Sequence, residues 1–318
     1  MMLSERFSAA LVTGGAGLVG SNLVEDLLGQ GLKVISLDDL SAGSPQNLDH
    51  LRANPNLTEL VGDISDKDVV NDAMKGVDVV FHQAVSKNTV CMENPNRDLE
   101  VNAGGTLNLL LAAVDHGVDK FVHASTGSVY GRTEVFPTTE DAPVAPVSYY
   151  GVSKLAAERY VHAFHVLHEL DVSILRYYHV YGPGQDNSDV GGVIPIFIRR
   201  ALQGLPLKIF GDGTQLRAFT YVKDVTAINI ASALEPAAVD QVYNCASDVR
   251  VTITQLAETI LSLLGRDPGE IEHHDWKPGD IKHFDISNTK VKEQLGFEFG
   301  YTFEQGLDLT IDAVRKVI

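Results

Sequence analysis

The stretch VSYYGVSKLAAE (residues 147–158) places two adjacent tyrosines shortly before a lysine. If a helix runs from Tyr149 onward, Tyr150 and Lys154 lie about 40° apart around its axis, whereas Tyr149 and Lys154 lie roughly 140° apart. Only Tyr150 therefore shares a face with Lys154. Positive charge beside a phenol lowers its pKa from about 10, so such a pair can act as a base. For a lone tyrosine and lysine at this spacing, an ordinary aromatic contact is the better explanation. Whether the pair is catalytic depends on the motifs in the rest of the chain.

A glycine-rich turn occupies the stretch VTGGAGLVG (residues 12–20). Gly14, Gly17 and Gly20 stand where a strand pattern gives way to a helix pattern. A pyrophosphate can approach the backbone N–H groups of such a helix N-terminus only if no Cβ is in the way. The triplet alone is a weak signal, because a tight turn could use the same glycines. The strand before it and the helix after it favour a dinucleotide site.

Two acidic residues, Asp38 and Asp39, end the second strand pattern. A carboxylate there can accept hydrogen bonds from the ribose 2′- and 3′-hydroxyls and would repel a 2′-phosphate, which favours NAD over NADP. Asp38 could instead be a turn residue or a helix cap. Its position directly after this strand favours the role in cofactor binding. Asp63 follows the third strand and could meet the adenine edge, although such a residue alone is more often an N-cap.

Short apolar runs alternate with helical patterns, which is typical of buried parallel strands in an α/β fold. The runs are AALVT (9–13), KVISL (33–37), VDVVFHQA (77–84), KFVHAS (120–125), VSILRYY (172–178) and QVYNCAS (241–247). We predict a doubly wound, Rossmann-type parallel sheet over residues 1–178, to which the strand at 241–247 returns. Residues 179–240 and 248–318, rich in Gly and Pro loops, are predicted to form a smaller C-terminal substrate-binding lobe that closes over ligand at the carboxyl ends of the strands.

Composition limits the classes of partner. The chain has 318 residues, 42 acidic and 25 basic side chains and a formal charge of −17, which disfavours nucleic-acid binding. Its two cysteines, Cys91 and Cys245, are too few for a disulfide framework and lack metal-ligand spacing. No run approaches a membrane span of about 18 apolar residues, and no signal peptide is recognisable. We expect a cytoplasmic protein that binds neither nucleic acid nor membrane.

The chain resembles the extended short-chain dehydrogenase/reductase family, in its nucleotide-sugar epimerase and dehydratase branch. The resemblance covers nearly the whole chain, and ordered motifs carry it: TGGAGLVG, DDLSAG, GDI, FHQA, VNAGGT, ASTGSVYG, YYGVSK, LRYYHVYGPGQ, GDGTQLRAFTYVKDV and KPGD. It implies that Thr126 completes a catalytic triad with Tyr150 and Lys154. It also implies an NAD site lined by Gly14, Gly17, Leu18, Val19, Gly20, Asp38, Asp39, Leu40, Ser41, Gly43, Asp63, Ile64, Gln83, Ala84, Lys87, Asn102, Tyr150, Lys154 and Tyr178.

The same resemblance implies a nucleotide-sugar site, which a different set of residues would contact. In that site Arg217 would pair with the diphosphate, since a planar guanidinium suits phosphate oxygens. The implied substrate contacts are Lys87, Thr126, His179, Val193, Lys208, Ile209, Arg217 and Asp280. His179 departs from the family pattern, which usually has asparagine there, and this puts the identity of the substrate in doubt.

Within the family, the residues after Thr126 distinguish the reactions. The 4,6-dehydratases have an Asp-Glu pair there and the UDP-glucuronate decarboxylases keep a glutamate, whereas this chain has Gly127-Ser128. With no acid for elimination, the simplest fate of a 4-keto sugar is to rotate and take the hydride back on its other face. We therefore predict a nucleotide-sugar 4-epimerase, with UDP as the nucleotide by resemblance. A dehydratase, a decarboxylase, a C2 epimerase and a non-catalytic NAD-binding regulator remain alternatives.

Two further expectations concern assembly and metals. The helices near residues 98–116 and 150–169 resemble those that form a four-helix subunit contact in relatives, so a homodimer is expected. His162, His165 and His168 span too wide an arc of one helix for three metal ligands to converge, and the pair His273-His274 has no spaced partner. We expect no metal site.

Overall fold

A computed structural model describes residues 2–186, 188, 191–267, 269–276 and 285–317. The strands are β1 (Ala9–Thr13), β2 (Lys33–Asp38), β3 (Leu57–Val61), β4 (Val79–His82), β5 (Lys120–Thr126), β6 (Asp171–Tyr177), β7 (Val180–Tyr181), β8 (Leu207–Phe210), β9 (Leu216–Arg217), β10 (Thr220–Tyr221), β11 (Gln241–Cys245), β12 (Val251–Thr252) and β13 (Ile271–His274). The helices are α1 (Leu18–Gly29), α2 (Lys67–Ala73), α3 (Asn88–Glu93), α4 (Pro95–Asp98), α5 (Thr106–His116), α6 (Tyr149–His168), α7 (Val193–Leu202), α8 (Val222–Leu234), α9 (Ile253–Leu263), α10 (Thr289–Leu295) and α11 (Phe303–Arg315). A π-helical stretch, Leu99–Gly105, connects α4 to α5.

The central sheet has seven strands in the order β11-β6-β5-β4-β1-β2-β3, and every pairing in it is parallel. The predicted doubly wound α/β fold is therefore confirmed. The strand order reverses direction between β1 and β4, and a crevice opens there at the carboxyl ends of the strands. The glycine turn, the end of β2 and the end of β5 all meet at this edge.

Apolar residues cover both faces of the sheet. One layer places α1 and α8 against the sheet around Leu23, Phe81 and Ile228, and the other places α5 and α6 around Leu109 and Phe121. Because both faces are covered, β1 and β4 are buried along their whole length. This explains why these strands appear in the sequence as continuous apolar runs.

The smaller lobe has its own apolar core. It is built from α7, α9 and α11 with the two-stranded pairs β8–β13 and β9–β12, around Phe197, Ile209, Leu256 and Leu307. The helices α8 and α10 lie within the stretches predicted for this lobe. They pack instead with the layer of α1, because Ile228, Val291 and Leu295 join its core. Residues 179–240 and 248–318 therefore contribute two helices to the sheet domain in addition to forming the smaller lobe.

Helix α6 begins where the spacing of Tyr150 and Lys154 requires. The Ser148 side chain accepts a hydrogen bond from the Gly151 backbone N–H at 3.1 Å, so it caps the first turn. Tyr150 and Lys154 fall in the first two turns, at the end of the helix that faces the crevice. Within the described residues, no helix is both long and apolar enough to cross a bilayer.

The placement of α8 predicts a stability difference between two apolar truncations. Ile228 is fully buried, so Ile228→Ala should lower the free energy of unfolding by about 2–5 kcal/mol. Leu309 on α11 is 45% exposed, and Leu309→Ala should cost less than about 1 kcal/mol. Urea denaturation of both variants measures this. Equal costs would mean that α8 is not part of the sheet core.

Candidate active site

A cavity of about 570 Å³ opens at the carboxyl ends of the strands. It is lined by most of the residues that the sequence predicts for the cofactor. They are Gly14, Gly17, Leu18, Val19, Gly20, Asp38, Asp39, Ser41, Gly43, Asp63, Ile64, Gln83, Ala84, Lys87, Tyr150 and Lys154. Segments far apart in the chain thus converge on one elongated site.

The glycine turn can pack against the end of β4 only because Gly14 has no side chain. Its φ is +66°, and a Cβ there would lie 2.7 Å from the backbone nitrogen of Ala84. The turn therefore approaches the end of β4 more closely than any side chain allows. Backbone N–H groups at the start of α1 face the cavity, which suits a pyrophosphate. The residues present fit an adenine dinucleotide.

Asp38 is held at the end of β2 by backbone donors. Its two carboxylate oxygens accept hydrogen bonds from the N–H groups of Ala16 at 2.9 Å and Leu40 at 2.8 Å. Burial raises the pKa of Asp38, whereas these two hydrogen bonds lower it. The fixed carboxylate faces the cavity and retains lone pairs for ribose hydroxyls. Leu40 itself, predicted as a cofactor contact, does not line the cavity and only donates its N–H to Asp38.

Arg97, which the sequence reasoning missed, closes this end of the site. Its guanidinium contacts the carboxylate of Asp63, lies 3.6 Å from Asp39 and pairs with Glu100 at 3.1 Å. The pKa of Asp63 is lowered: burial raises it, but hydrogen bonds from Ser65 and Arg97 and the Arg97 charge outweigh that effect. One positive charge therefore offsets part of the acidic rim formed by Asp39, Asp63 and Glu100. No local spacing indicated this pairing.

Tyr150 and Lys154 both face the cavity from α6, as the helix geometry predicts, while Tyr149 is 54% exposed. Thr126 ends β5 beside them, and a hydrogen bond connects its hydroxyl with the Tyr150 phenol. Thr126 also accepts a hydrogen bond from the Ser128 backbone N–H at 3.2 Å. The three residues of the predicted triad are thus brought together.

The surroundings of Tyr150 favour its neutral phenol. Burial raises the pKa of Tyr150 to about 12; the hydrogen bond with Thr126 lowers it, and the charge of Asp98 raises it. Burial also lowers the pKa of Lys154 to about 8, although Glu158 and Asp98 raise it. A base at position 150 therefore needs additional positive charge from a bound ligand.

Two predicted cofactor contacts lie behind the cavity wall. Asn102 is fully buried and accepts a hydrogen bond from the Ser86 N–H at 2.9 Å. Tyr178 is 2% exposed and donates to Asn244 at 3.0 Å, so its ring does not reach the cavity. The neighbouring Tyr177 lines the cavity instead. It is the last residue of β6 and pairs in register with Thr126, a relation between strands that no local pattern in the sequence shows.

A closed hydrogen-bond network fixes Tyr177. Its hydroxyl donates to Gln83 at 2.9 Å and accepts from the Asn229 amide at 2.7 Å. Gln83 in turn donates to Asn229 at 3.0 Å. Asn229 is fully buried on α8. This helix therefore sets the shape of a cavity wall that it does not itself line.

The loop before α7 closes the cavity from the side of the smaller lobe. Lys87 pairs with Asp186 at 2.9 Å, and both residues line the cavity together with Gly192. Val193 begins α7 directly after Gly192 and is partly buried. Among the other predicted substrate contacts, Lys208 is exposed on β8, whereas Ile209 is fully buried in the lobe core. Ile209 can therefore offer only backbone groups to a ligand.

His179 and Arg217 lie close together. His179 has a left-handed backbone with φ of +38°, a conformation that asparagine and histidine both tolerate. Desolvation by the surrounding protein and the positive charge of Arg217 lower the pKa of His179 to about 4, so its ring is neutral at pH 7. Arg217 donates to the Leu216 carbonyl at 2.8 Å. Asp280, the remaining predicted contact, lies outside the described residues.

Over the part of the chain that the structure describes, no group of three His, Cys, Asp or Glu side chains could hold a metal ion. His162 instead pairs with Asp240 at 2.7 Å, and His165 contacts the Leu170 carbonyl at 2.9 Å.

The glycine turn lies at the switch point of a parallel sheet, and a tyrosine and a lysine face the same cavity. Together these features define an NAD-binding enzyme of the Rossmann type. The model of the NAD dependent epimerase/dehydratase family matches residues 10–259, and the chain belongs to that family. It is 37% identical to the UDP-glucose 4-epimerase of Mycolicibacterium smegmatis over 310 residues, 96% of this chain and 98% of that protein. It is 33% identical to a dTDP-glucose 4,6-dehydratase of Xanthomonas campestris, covering 95% of this chain and 92% of that protein.

Solved structures show the same likeness. The UDP-glucose 4-epimerase of Thermotoga maritima with UDP-glucose superposes with a TM-score of 0.91 at 35% identity, covering 97% of this chain and 99% of that chain. Together with the family match, this makes the chain an NAD-dependent enzyme.

The close approach at Gly14 predicts a cofactor-binding defect. Gly14→Ala should weaken NAD binding by at least about tenfold, because a Cβ would collide with Ala84 and the left-handed backbone costs about 1–2 kcal/mol. Gly29→Ala is the matched control, since Gly29 has open space around its Cβ position. Calorimetric titration of cofactor-free protein with NAD measures both. Equal affinities would show that the turn does not hold the dinucleotide.

Proposed function

We propose that the protein is a nucleotide-sugar 4-epimerase of the UDP-hexose class. The observation that carries this proposal is the absence of an acidic side chain directly after Thr126, where the chain has Gly127 and Ser128. A Cβ on Gly127 would lie 2.1 Å from the Tyr178 ring, so the acidic side chain that a dehydratase needs cannot be added without displacing that ring. The next residue, Ser128, bears only a hydroxyl, 3.2 Å from that of Thr126. An elimination therefore lacks its acid.

The remaining groups suit oxidation and reduction at one carbon. Bound NAD supplies the hydride acceptor and donor and, when oxidised, a positive ring. Tyr150 removes the proton of the sugar 4-hydroxyl as this carbon is oxidised, and Thr126 aligns that hydroxyl by hydrogen bonding. Lys154 favours the phenolate electrostatically. After the 4-keto sugar rotates, its C4 takes the hydride back on the other face, and Tyr150 returns the proton to the 4-oxygen.

The smaller lobe would hold the nucleotide diphosphate. Arg217 provides a fixed charge for phosphate oxygens, and the neutral His179 beside it can donate one hydrogen bond. Lys208 is exposed on β8 and is available to the base. UDP-linked relatives support UDP as the nucleotide.

Incubation of the purified protein with UDP-glucose or UDP-galactose, or with their N-acetyl or uronate forms, tests the reaction. We expect C4 inversion, detected by NMR, without added NAD. Tyr150→Phe should lose more than about a hundredfold in turnover while retaining bound NAD. Tyr149→Phe, on the solvent side of the same helix, is the control and should remain active. Release of water or carbon dioxide would identify a dehydratase or decarboxylase instead, and no turnover at all would favour a binding protein.

The exposed face of α6 supports a homodimer. Tyr149, Val152, Tyr160 and Leu167 recur at helical spacing and are 54%, 53%, 43% and 73% exposed. Leu111 on the adjacent α5 is 45% exposed as well. A row of large apolar side chains on two neighbouring helices suits burial against a second copy.

The dimer proposal predicts a monomeric variant. Val152→Glu should dissociate the protein, because a carboxylate would be buried against apolar side chains. Leu309→Glu, a similarly exposed site on α11, should leave the association unchanged. Sedimentation velocity distinguishes the two. A wild-type protein that sediments as a monomer at micromolar concentration would contradict the proposal.

We place the protein in the cytoplasm. Cys91 and Cys245 are both buried free thiols. Such thiols are typical of a reducing compartment.

A further inference from the structure

A buried carboxylate lies directly behind the catalytic turn of α6. Asp98 ends α4 and is 2% exposed. One of its oxygens, Oδ1, accepts hydrogen bonds from the Asn102 amide at 2.7 Å and the Ser153 hydroxyl at 3.0 Å, and the Cys91 thiol also donates to it. Ser153 lies between the two catalytic residues in sequence and also contacts the Tyr150 carbonyl at 3.1 Å. Asp98 is thus tied to the turn that carries Tyr150 and Lys154.

The donors to Asp98 are all neutral. Burial and the neighbouring Asp98 raise the pKa of Cys91 to about 12, so its thiol keeps its proton. Among the described residues, no lysine or arginine forms an ion pair with Asp98. A buried carboxylate without a cation is costly, and hydrogen bonds from neutral groups offset only part of that cost. A cation elsewhere in the same region is therefore required.

The other buried carboxylate near Lys154 is already neutralised. Glu158 lies one turn further along α6 and pairs with Arg176 at 2.7 Å. Arg176 also donates through Nε to Glu158 at 2.9 Å, so the guanidinium binds this carboxylate through two nitrogens. Of the two buried anions that act on Lys154, only Asp98 retains an uncompensated charge.

We infer that Asp98 is a positioning residue for catalysis: it serves as the counter-charge that keeps the Lys154 ammonium protonated, and it orients the Tyr150 turn through Ser153. This inference rests on the proposed function. The reason is geometric: Lys154 and Asp98 are each 2% exposed, and Ser153 ties Asp98 to the turn that separates Tyr150 from Lys154. Burial lowers the pKa of the Lys154 ammonium to about 8, and the carboxylates of Glu158 and Asp98 both raise it. Without Asp98 the lysine would therefore lose its charge nearer to neutral pH.

Other titratable groups also act on Lys154 and Tyr150. Glu158 raises the pKa of Lys154. On the sheet side, the fully buried His82 and His123 both have pKa values well below the usual range, because of burial and the Lys154 charge. They are neutral throughout the working pH range. Asp98 acts on Tyr150 from α4 and raises its pKa, whereas the neutral Cys91 thiol on α3 carries no charge. Loss of the Asp98 charge lowers the pKa of both catalytic groups.

The pH dependence of epimerisation tests the charge. Asp98→Asn keeps an acceptor oxygen but removes the charge, so both limbs of the kcat profile should move to lower pH, with activity lost first on the alkaline side. Asp72→Asn removes the same charge at a side chain 70% exposed on α2 and should leave the profile in place. A profile of Asp98→Asn that superposes on the wild type, or moves to higher pH, overturns the inference.

A second variant separates charge from orientation. Ser153→Ala removes the hydroxyl that links Asp98 to the Tyr150 turn but no charge. We expect a lower kcat with the limbs of its pH profile unmoved. A displaced profile for Ser153→Ala would mean that hydrogen-bond geometry, not the Asp98 charge, sets the protonation of the pair.

A double-mutant cycle tests the counter-charge without using activity, so its outcome is independent of the proposed function. If Asp98 balances Lys154, Asp98→Asn should lower the urea midpoint more in the wild type than in a Lys154→Met background. Should Asp98→Asn alone not fold, the double variant should recover folded protein. Equal losses in both backgrounds, or a double variant that also fails to fold, overturn the inference.

Discussion

The buried ion pair between Glu158 and Arg176 is the interaction on which the catalytic geometry depends. Glu158 also accepts a hydrogen bond from the Ser125 hydroxyl at 2.5 Å, so one carboxylate ties α6 to both β5 and β6. Such a pair adds little net stability, since desolvation offsets its attraction, but the loss of either partner leaves a buried charge at a cost of about 3–5 kcal/mol. Its consequence is positional: the helix that carries Tyr150 cannot slide or rotate relative to the strand that carries Thr126.

The charges around this helix explain why the cofactor and the catalytic base belong together. Burial makes Tyr150 a weaker acid and Lys154 a weaker base than they are in water. The phenol therefore becomes a base only when further positive charge enters the cavity. In the proposed reaction, oxidised NAD would supply that positive charge together with the hydride acceptor, so proton removal by Tyr150 would be coupled to oxidation.

Local sequence patterns were sufficient to predict much of the fold and of the candidate site. The run AALVT coincides with β1, and the four-residue spacing of Tyr150 and Lys154 indicates their shared helix face, because helical and strand periodicities are properties of the backbone alone. Other features were not accessible. Tyr177 ends β6, which is buried on both faces, and Tyr178 follows it directly, so no alternation of polarity shows which of the two rings faces the cavity. Arg97 and Asp63 are distant in sequence, and only their convergence at one sheet edge makes them a pair.

The sequence by itself determined the α/β class, the glycine turn, the carboxylate after β2 and the face shared by Tyr150 and Lys154, because each follows from spacing within one element. Only the tertiary structure decided that α8 belongs to the sheet layer, that Asn102 lies behind the active site and that Asp98 stands beneath it. These placements depend on which segments distant in sequence pack together. The packing that forms is the one that leaves little buried unpaired charge and little exposed apolar area over the whole chain.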